Sequence, residues 1–218
     1  MMPYRAIVLG GTGAVGRHVV SGLVKSQLCK DLTVIVRRQG DPQDLFGIAS
    51  DKINVVVVDF DHLQQSSFDG FDVAFSCLGT TRAQAGSAAA FKKVDLDYTV
   101  ESARLLKEAG TQQMLAVTAA NANASSWFLY PQTKGLAEQK LAELNFQRLV
   151  ILRPMMLVRD ISARFVEKVG LALIPESFQV HVRQVADAMI KVAEQYQGAP
   201  QVGVPAVEFI SHSDIRTM

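Results

Sequence analysis

Six short runs of β-branched and other apolar residues punctuate this chain: Ala6–Leu9, Leu32–Val36, Val55–Val58, Asp72–Phe75, Met114–Val117 and Leu149–Leu152. They are nearly continuous rather than alternating, the pattern of strands buried on both faces by covering helices. Segments of helical period lie between them, over Ala14–Ser26, Phe91–Ala109 and Pro131–Leu144, and Gly110 is placed to end the second. This alternation predicts an α/β fold built on a doubly wound parallel sheet. The last third is less regular. A helix is expected over Arg159–Leu173, ending before Pro175, another over Val185–Tyr196 and a short strand over Ala206–Ile210. No repeat or linker interrupts the 218 residues, so one domain is expected over 1–218, with 155–218 its small irregular C-terminal portion.

Composition narrows the class of partner. Hydrophobic residues make up 49% of the chain, enough for a substantial core, and 22 Lys and Arg against 21 Asp and Glu leave a net charge of +1. No broad basic surface is available to grip a phosphate backbone, so no nucleic-acid partner is expected. The apolar run near the N-terminus stops at Gly10-Gly11, short of the roughly 7–15 apolar residues of a signal peptide. No stretch approaches the ~20 residues that cross a bilayer. Cys29 and Cys77 show neither metal spacing nor a disulfide framework. A cytoplasmic protein with no membrane partner and no metal is the expectation, with monomer and homodimer both open.

The first apolar run leads straight into Gly10-Gly11-Thr12-Gly13-Ala14-Val15-Gly16, and a helical segment follows. A tight turn, close approach of backbone to a pyrophosphate and tight packing of helix on strand each favour a missing side chain. The helix N-terminus then offers unpaired N–H groups and partial positive charge to phosphates. Strand, loop and helix in this order read as a dinucleotide site at Gly10, Thr12, Gly13, Ala14, Val15 and Gly16. The end of the second strand bears on which dinucleotide. An NAD site usually has an acid there for the ribose 2′-OH; this chain has Arg37-Arg38, two guanidinium groups suited to a 2′-phosphate. NADP(H) is expected, with NAD(H) the alternative and Arg17 a further contributor.

In such sheets ligands bind outside the carboxyl ends of the strands. After the third strand stand Asp59 and Phe60, able to bracket an adenine by hydrogen bonding and stacking. After the fourth come Leu78, Gly79 and Thr80 for the cofactor, then Thr81 and Arg82, able to face phosphates or substrate. Cys77 reads as a small buried residue rather than a nucleophile. After the fifth comes Tyr130-Pro131-Gln132-Thr133-Lys134, whose ends share one helical face if the helix includes both.

The glycine loop with Tyr130 and Lys134 resembles the short-chain dehydrogenase/reductase superfamily. Cys77–Arg82, Val94–Tyr98, Phe128–Tyr130 and Leu152–Pro154 are similar to its atypical branch that includes the Tat-interacting protein. The resemblance implies an NADP(H)-binding Rossmann domain that places Pro154 at the cofactor. It implies that Tyr130 is a proton donor or acceptor, and that Lys134 lowers its pKa and holds the nicotinamide ribose. The family's catalytic serine or threonine falls at Val117-Thr118-Ala119, making Thr118 the candidate, while Ser125 and Ser126 read as helix caps. Asp95 stands where the family has a helix asparagine.

A free phenol has a pKa near 10, and ionising it fully at pH 7 requires about 4 kcal/mol. Donating a proton to a reduced carbonyl requires no prior ionisation, so NADPH-dependent reduction of a small carbonyl substrate is the less demanding direction. Met155 and Met156 follow the sixth strand, and His181 follows a further short strand expected just before it, all on the expected substrate side; Trp127 and Phe128 either cover the nicotinamide end or anchor the helix. His18 falls within the first helix as a structural residue. The alternative is an NADP(H)-binding regulator or redox sensor with little or no turnover. A sugar-nucleotide epimerase is disfavoured because little chain remains after Pro154 for a substrate lobe.

Overall fold

The computed structural model of the chain describes residues 2–159, 175–196 and 206–218. Its strands are β1 Tyr4–Leu9, β2 Cys29–Val36, β3 Ile53–Val57, β4 Val73–Ser76, β5 Gln113–Val117, β6 Arg148–Leu152, β7 Met156–Val158, β8 Gln179–His181 and β9 Val207–Ile210. Seven of them form one parallel sheet in the order β3-β2-β1-β4-β5-β6-β9; β7 and β8 pair in a small separate parallel ladder. The chain winds outward from β1 to β3, then returns to place β4 against the other side of β1. That reversal opens a crevice beyond the carboxyl ends of β1 and β4, where ligands of such sheets bind.

Both faces of the sheet are covered. From β1, Ala6 and Val8 point into a core shared with α1 (Ala14–Lys25) and the helix Val182–Gln195, through Val19, Leu23 and Val185. Ile7 and Leu9 point to the opposite core, which holds Leu106 of α5 (Thr99–Glu108) and Leu141 of α6 (Leu129–Glu143). The apolar runs are continuous because each successive side chain enters one core or the other. Burying each such side chain fully is worth about 1.5–3 kcal/mol.

Each of the seven sequence-derived strands has its counterpart, with ends shifted by up to three residues. Gly110 takes a positive φ of 88° and, with Thr111, turns its N–H back to Lys107 and Leu106, which ends α5. The helix expected over Phe91–Ala109 is interrupted: α4 (Ala88–Lys92) runs into a π-helical segment, Lys93–Tyr98, before α5 begins. α6 starts two residues earlier than its pattern suggests, and its cap is Phe128 rather than a serine. Ser126 Oγ instead accepts the Phe128 N–H just outside the helix. The short helices α2 (Pro42–Phe46) and α3 (Arg82–Ala85) and the β7–β8 ladder carry no strong periodic signal. Beyond its first residue, the helix expected over Arg159–Leu173 lies outside the described residues. Among those residues no helix is long and apolar enough to cross a membrane.

Candidate functional site: a nucleotide cleft beside a tyrosine and a buried lysine

The glycine loop joins β1 to α1 at the reversal point. Gly10 has a φ of 76°, and a Cβ there would stand 2.5 Å from the Cys77 carbonyl oxygen. The loops after β1 and β4 therefore touch backbone to backbone. A Cβ on Gly16 would stand 2.1 Å from the Gly10 carbonyl oxygen, so α1 packs directly on the turn. Gly13 caps α1 without a side-chain acceptor, and the first turn holds no acidic residue. Its N–H groups and the dipole of this 12-residue helix stay open to an anion.

A cleft of about 550 Å³ opens along this loop. Gly10, Thr12 and Gly13 form its floor, with Ile35, Val36 and Arg37 at one end. Phe60 and Tyr98 make a wall, their rings tilted against each other at 5.2 Å. Tyr98 is held there because its hydroxyl donates to Asp61 Oδ1 at 2.6 Å, and Lys93 pairs with the same carboxylate at 2.7 Å. Leu78, Gly79 and Thr80 line the other end. Cys77 also lines the cleft, but burial pushes its thiol up to about 12, which leaves it inert.

Several expected residues turn elsewhere. Asp59 does not line the cleft; its carboxylate accepts from the Asp61 N–H at 2.9 Å and meets His62 Nδ1 at 2.8 Å. Arg37 and Arg38 are both exposed, and neither is claimed by an ion pair among the described residues. Only Arg37 lines the cleft. Arg17 donates to the Thr12 carbonyl at 3.2 Å and lines a second hollow of about 490 Å³ with His18 and Arg159. Thr81 caps α3 through Gln84 N–H, and Arg82 is exposed on its first turn. His181 caps the helix Val182–Gln195, its ring edge-on to His18 at 6.3 Å. Met155 and Met156 are 45% and 44% exposed.

At the far end of the cleft, α6 places Lys134 beneath Gly79. The lysine is buried, and its Nζ lies 2.6 Å from Oδ1 of Asp95, a fully buried carboxylate on the π-helical segment. Tyr130, one turn earlier on α6, packs its ring at 5.9 Å from Phe91. Burial, and then the Asp95 charge, raise its phenol above the ordinary value of 10. Trp127 and Phe128, just before it, are 99% and 77% exposed, so they anchor nothing in the described core.

Thr118 is buried, and its hydroxyl donates to Glu138 Oε1 at 2.6 Å. Glu138, two turns beyond Tyr130 on α6, also receives Arg153 through Nε at 3.0 Å and Nη2 at 2.5 Å. This forked pair ties α6 to the ends of β5 and β6, with the guanidinium 4.1 Å from the Phe209 ring. Glu138→Ala strands a buried hydroxyl and a part-buried cation, and is expected to cost about 3 kcal/mol, read as a lower urea midpoint at unchanged slope. Sequence reasoning passed over Glu138, although its eight-residue spacing from Tyr130 places both on one face. It also passed over Gly135, where a Cβ would stand 2.1 Å from Ala124 N; the 122–124 loop lies flush on α6.

The model of an NAD(P)H-binding family matches residues 10–196, from the glycine loop to the end of the helix Val182–Gln195. The chain belongs to this NAD(P)H-binding family. Within it, the protein is 39% identical over 155 residues to Protein HTATIP2 of Rattus norvegicus, covering 70% of this chain and 62% of that one. It is 38% identical over 151 residues to Protein FMP52, mitochondrial, of Candida albicans, covering 67% and 64%. The chain thus spans a little under two thirds of the length of these curated relatives. Among solved structures, a UDP-N-acetylglucosamine 4-epimerase from Methanobrevibacter ruminantium M1 superposes with a TM-score of 0.72 at 13% identity, over 96% of this chain and 77% of the other. MoeE5 in complex with UDP-glucose and NAD gives 0.71 at 14%, over 95% and 75%. At such identities the likeness is one of fold. The NAD(P)H-binding assignment agrees with the cradle: no side chain intrudes between Gly10, Gly13 and Gly16, where a pyrophosphate must approach backbone.

Proposed function

We propose that this NAD(P)H-binding protein is an NADPH-dependent reductase of a small carbonyl compound, with Tyr130 as general acid. The observation that carries the reading is the placement of Lys134 and Asp95 behind Gly79, which lines the cleft, with Tyr130 one helical turn before Lys134 on α6. A reduced nicotinamide, its phosphates held by the glycine loop and its ribose by Lys134, would supply hydride to the carbonyl carbon. Tyr130 Oη donates its proton to the developing alkoxide, and Lys134 orients the ribose and the phenol from below. Burial and the Asp95 charge both keep the phenol protonated, which suits donation and opposes abstraction. Gly10, Thr12 and Gly16 shape the phosphate cradle, while Phe60 and Tyr98 form an apolar wall for the adenine.

NADP(H) over NAD(H) rests on Arg37, exposed at the cleft end, and on the exposed Arg38 that follows it in the chain, neither held by a described carboxylate. The double variant Arg37→Ser, Arg38→Ser is expected to weaken NADPH binding about tenfold or more, from the loss of charge-assisted hydrogen bonds. NADH binding should stay within twofold, measured by calorimetry on protein freed of endogenous nucleotide. Equal losses for both nucleotides would remove the 2′-phosphate assignment.

One observation favours the second reading, a nucleotide-binding sensor with little turnover. The Thr118 hydroxyl is committed to Glu138, so it does not stand as a free donor beside Tyr130. A panel of aldehydes, ketones and quinones with NADPH absorbance as readout separates the two. Oxidation of NADPH with at least one carbonyl class is expected; tight NADPH binding with no oxidation across the panel selects the sensor.

A further inference from the structure

We propose that the adenine is held by stacking on a wall of two rings rather than through its amino group, and that Asp61 is the positioning residue that completes this wall by latching Tyr98 against Phe60. The proposal rests on the reading that sets the adenine against Phe60 and Tyr98; it does not depend on carbonyl reduction. The two rings are fixed in different ways. Phe60 is buried and seated in the core that holds Leu9 and Ile35. Tyr98 is half-buried, and its hydroxyl is tied down from outside. It donates to Asp61 Oδ1 at 2.6 Å, which holds the rings 5.2 Å apart at an angle of 37°.

The backbone brings the parts of this latch together. Lys93 and Tyr98 are the first and last residues of the π-helical segment, and both reach Asp61 Oδ1. In an α-helix, residues five apart point about 140° away from each other. The wider π turn brings them close to one face, and Lys93 Nζ stands 5.8 Å from the centre of the Tyr98 ring. The Lys93–Asp61 pair is half exposed, so it adds little to stability by itself. Its effect is to keep the carboxylate turned toward the phenol.

Asp59 shapes the other side of the latch. Its carboxylate accepts the Asp61 N–H at 2.9 Å and meets His62 Nδ1 at 2.8 Å, and its carbonyl accepts the His62 N–H at 3.1 Å. The acid at the strand end is thus spent on the turn that presents Asp61. Among the described residues no carboxylate lines the cleft to accept an adenine amino group. The wall offers a base a flat aromatic face, and stacking on such a face is indifferent to the amino group.

The test is calorimetric titration of nucleotide-freed protein with three probes: NADPH, its reduced hypoxanthine analogue, and reduced nicotinamide mononucleotide, which lacks the adenine half. Wild-type protein should bind the hypoxanthine analogue within about threefold of NADPH. Tyr98→Ala removes one ring of the wall and is expected to weaken NADPH about tenfold. Tyr98→Phe and Asp61→Ala keep both rings and break only the latch. Each should weaken NADPH about fivefold, from the loss of one hydrogen bond to a charged acceptor, while the mononucleotide stays within about twofold. Unchanged NADPH affinity in Tyr98→Ala sets the base elsewhere and overturns the wall together with the proposal. A loss in Tyr98→Ala with none in the latch variants keeps the wall and overturns the proposal. An equal loss for the mononucleotide, or a larger penalty for the hypoxanthine analogue, overturns it as well. None of these readings needs turnover, so they stand apart from the role of Tyr130.

Discussion

Replacing Tyr130 with Phe is expected to lower NADPH-dependent carbonyl reduction by roughly 10²–10⁴-fold, the usual contribution of a positioned general acid. Nucleotide affinity should change less than about twofold. The substitution removes one oxygen from a ring that keeps its contact with Phe91, and the residue is 43% exposed, so no buried partner is orphaned. The pH profile carries the sign. Donation requires the protonated phenol, which persists below its pKa, and burial followed by the Asp95 charge has raised that pKa above 10. The wild-type rate should therefore stay level through neutrality, as far as Tyr130 controls it, and fall only at strongly alkaline pH. Steady-state rates across pH, with NADPH binding followed separately by its fluorescence, check both parts. A Phe variant as fast as wild type would assign proton donation to another group.

Gly16→Ala is expected to remove nucleotide binding and destabilise the fold together. The added Cβ meets the Gly10 carbonyl oxygen at 2.1 Å and the Gly10 carbonyl carbon and Gly11 Cα at 2.9 Å. All three are backbone atoms, so no side chain can swing aside, and α1 must lift from the turn. Overpacking of this kind costs about 3 kcal/mol or more. For a chain of this length that is a Tm lower by roughly 6–12 °C. NADPH affinity should fall by about a hundredfold or more, since the N–H groups of the turn and the helix no longer converge on one point. Gly13→Ala supplies the contrast. Its φ of −76° suits alanine, and its nearest new contact is 3.2 Å, so stability should hold while phosphate approach suffers. Thermal melts and calorimetric titration of both variants separate packing from binding. A Gly16→Ala protein with wild-type affinity would show that the cradle lies elsewhere.

The sheet was legible because its strands are buried on both faces, and that condition writes itself as unbroken apolar runs. The glycine loop was legible because its steric requirement admits one residue type. Tyr130 and Lys134 could be read from their spacing on one helical face. Other features needed the folded chain. A π-helical turn shifts the register of side chains without changing composition, so Phe91–Ala109 gave no sign of the departure that buries Asp95. Thr118 stood at the right strand end, but the direction of its hydroxyl depends on Glu138, twenty residues on. Asp59 is adjacent to Phe60 in sequence, yet only the phenyl ring faces the cleft, because successive residues leaving a strand point to opposite sides.

The sequence by itself determined the layered α/β architecture, the glycine loop between β1 and α1 and the helical face bearing Tyr130. These follow from local periodicity and from sterics that a few neighbouring residues impose. Only the tertiary structure decided which charges meet: Lys134 with Asp95, Glu138 with Arg153 and Thr118, Asp61 with Tyr98 and Lys93. Each pairing joins segments 15 to 39 residues apart and exists because the sheet order brings their ends together. Coulomb energy and burial depend on distances in space, and linear spacing does not encode them.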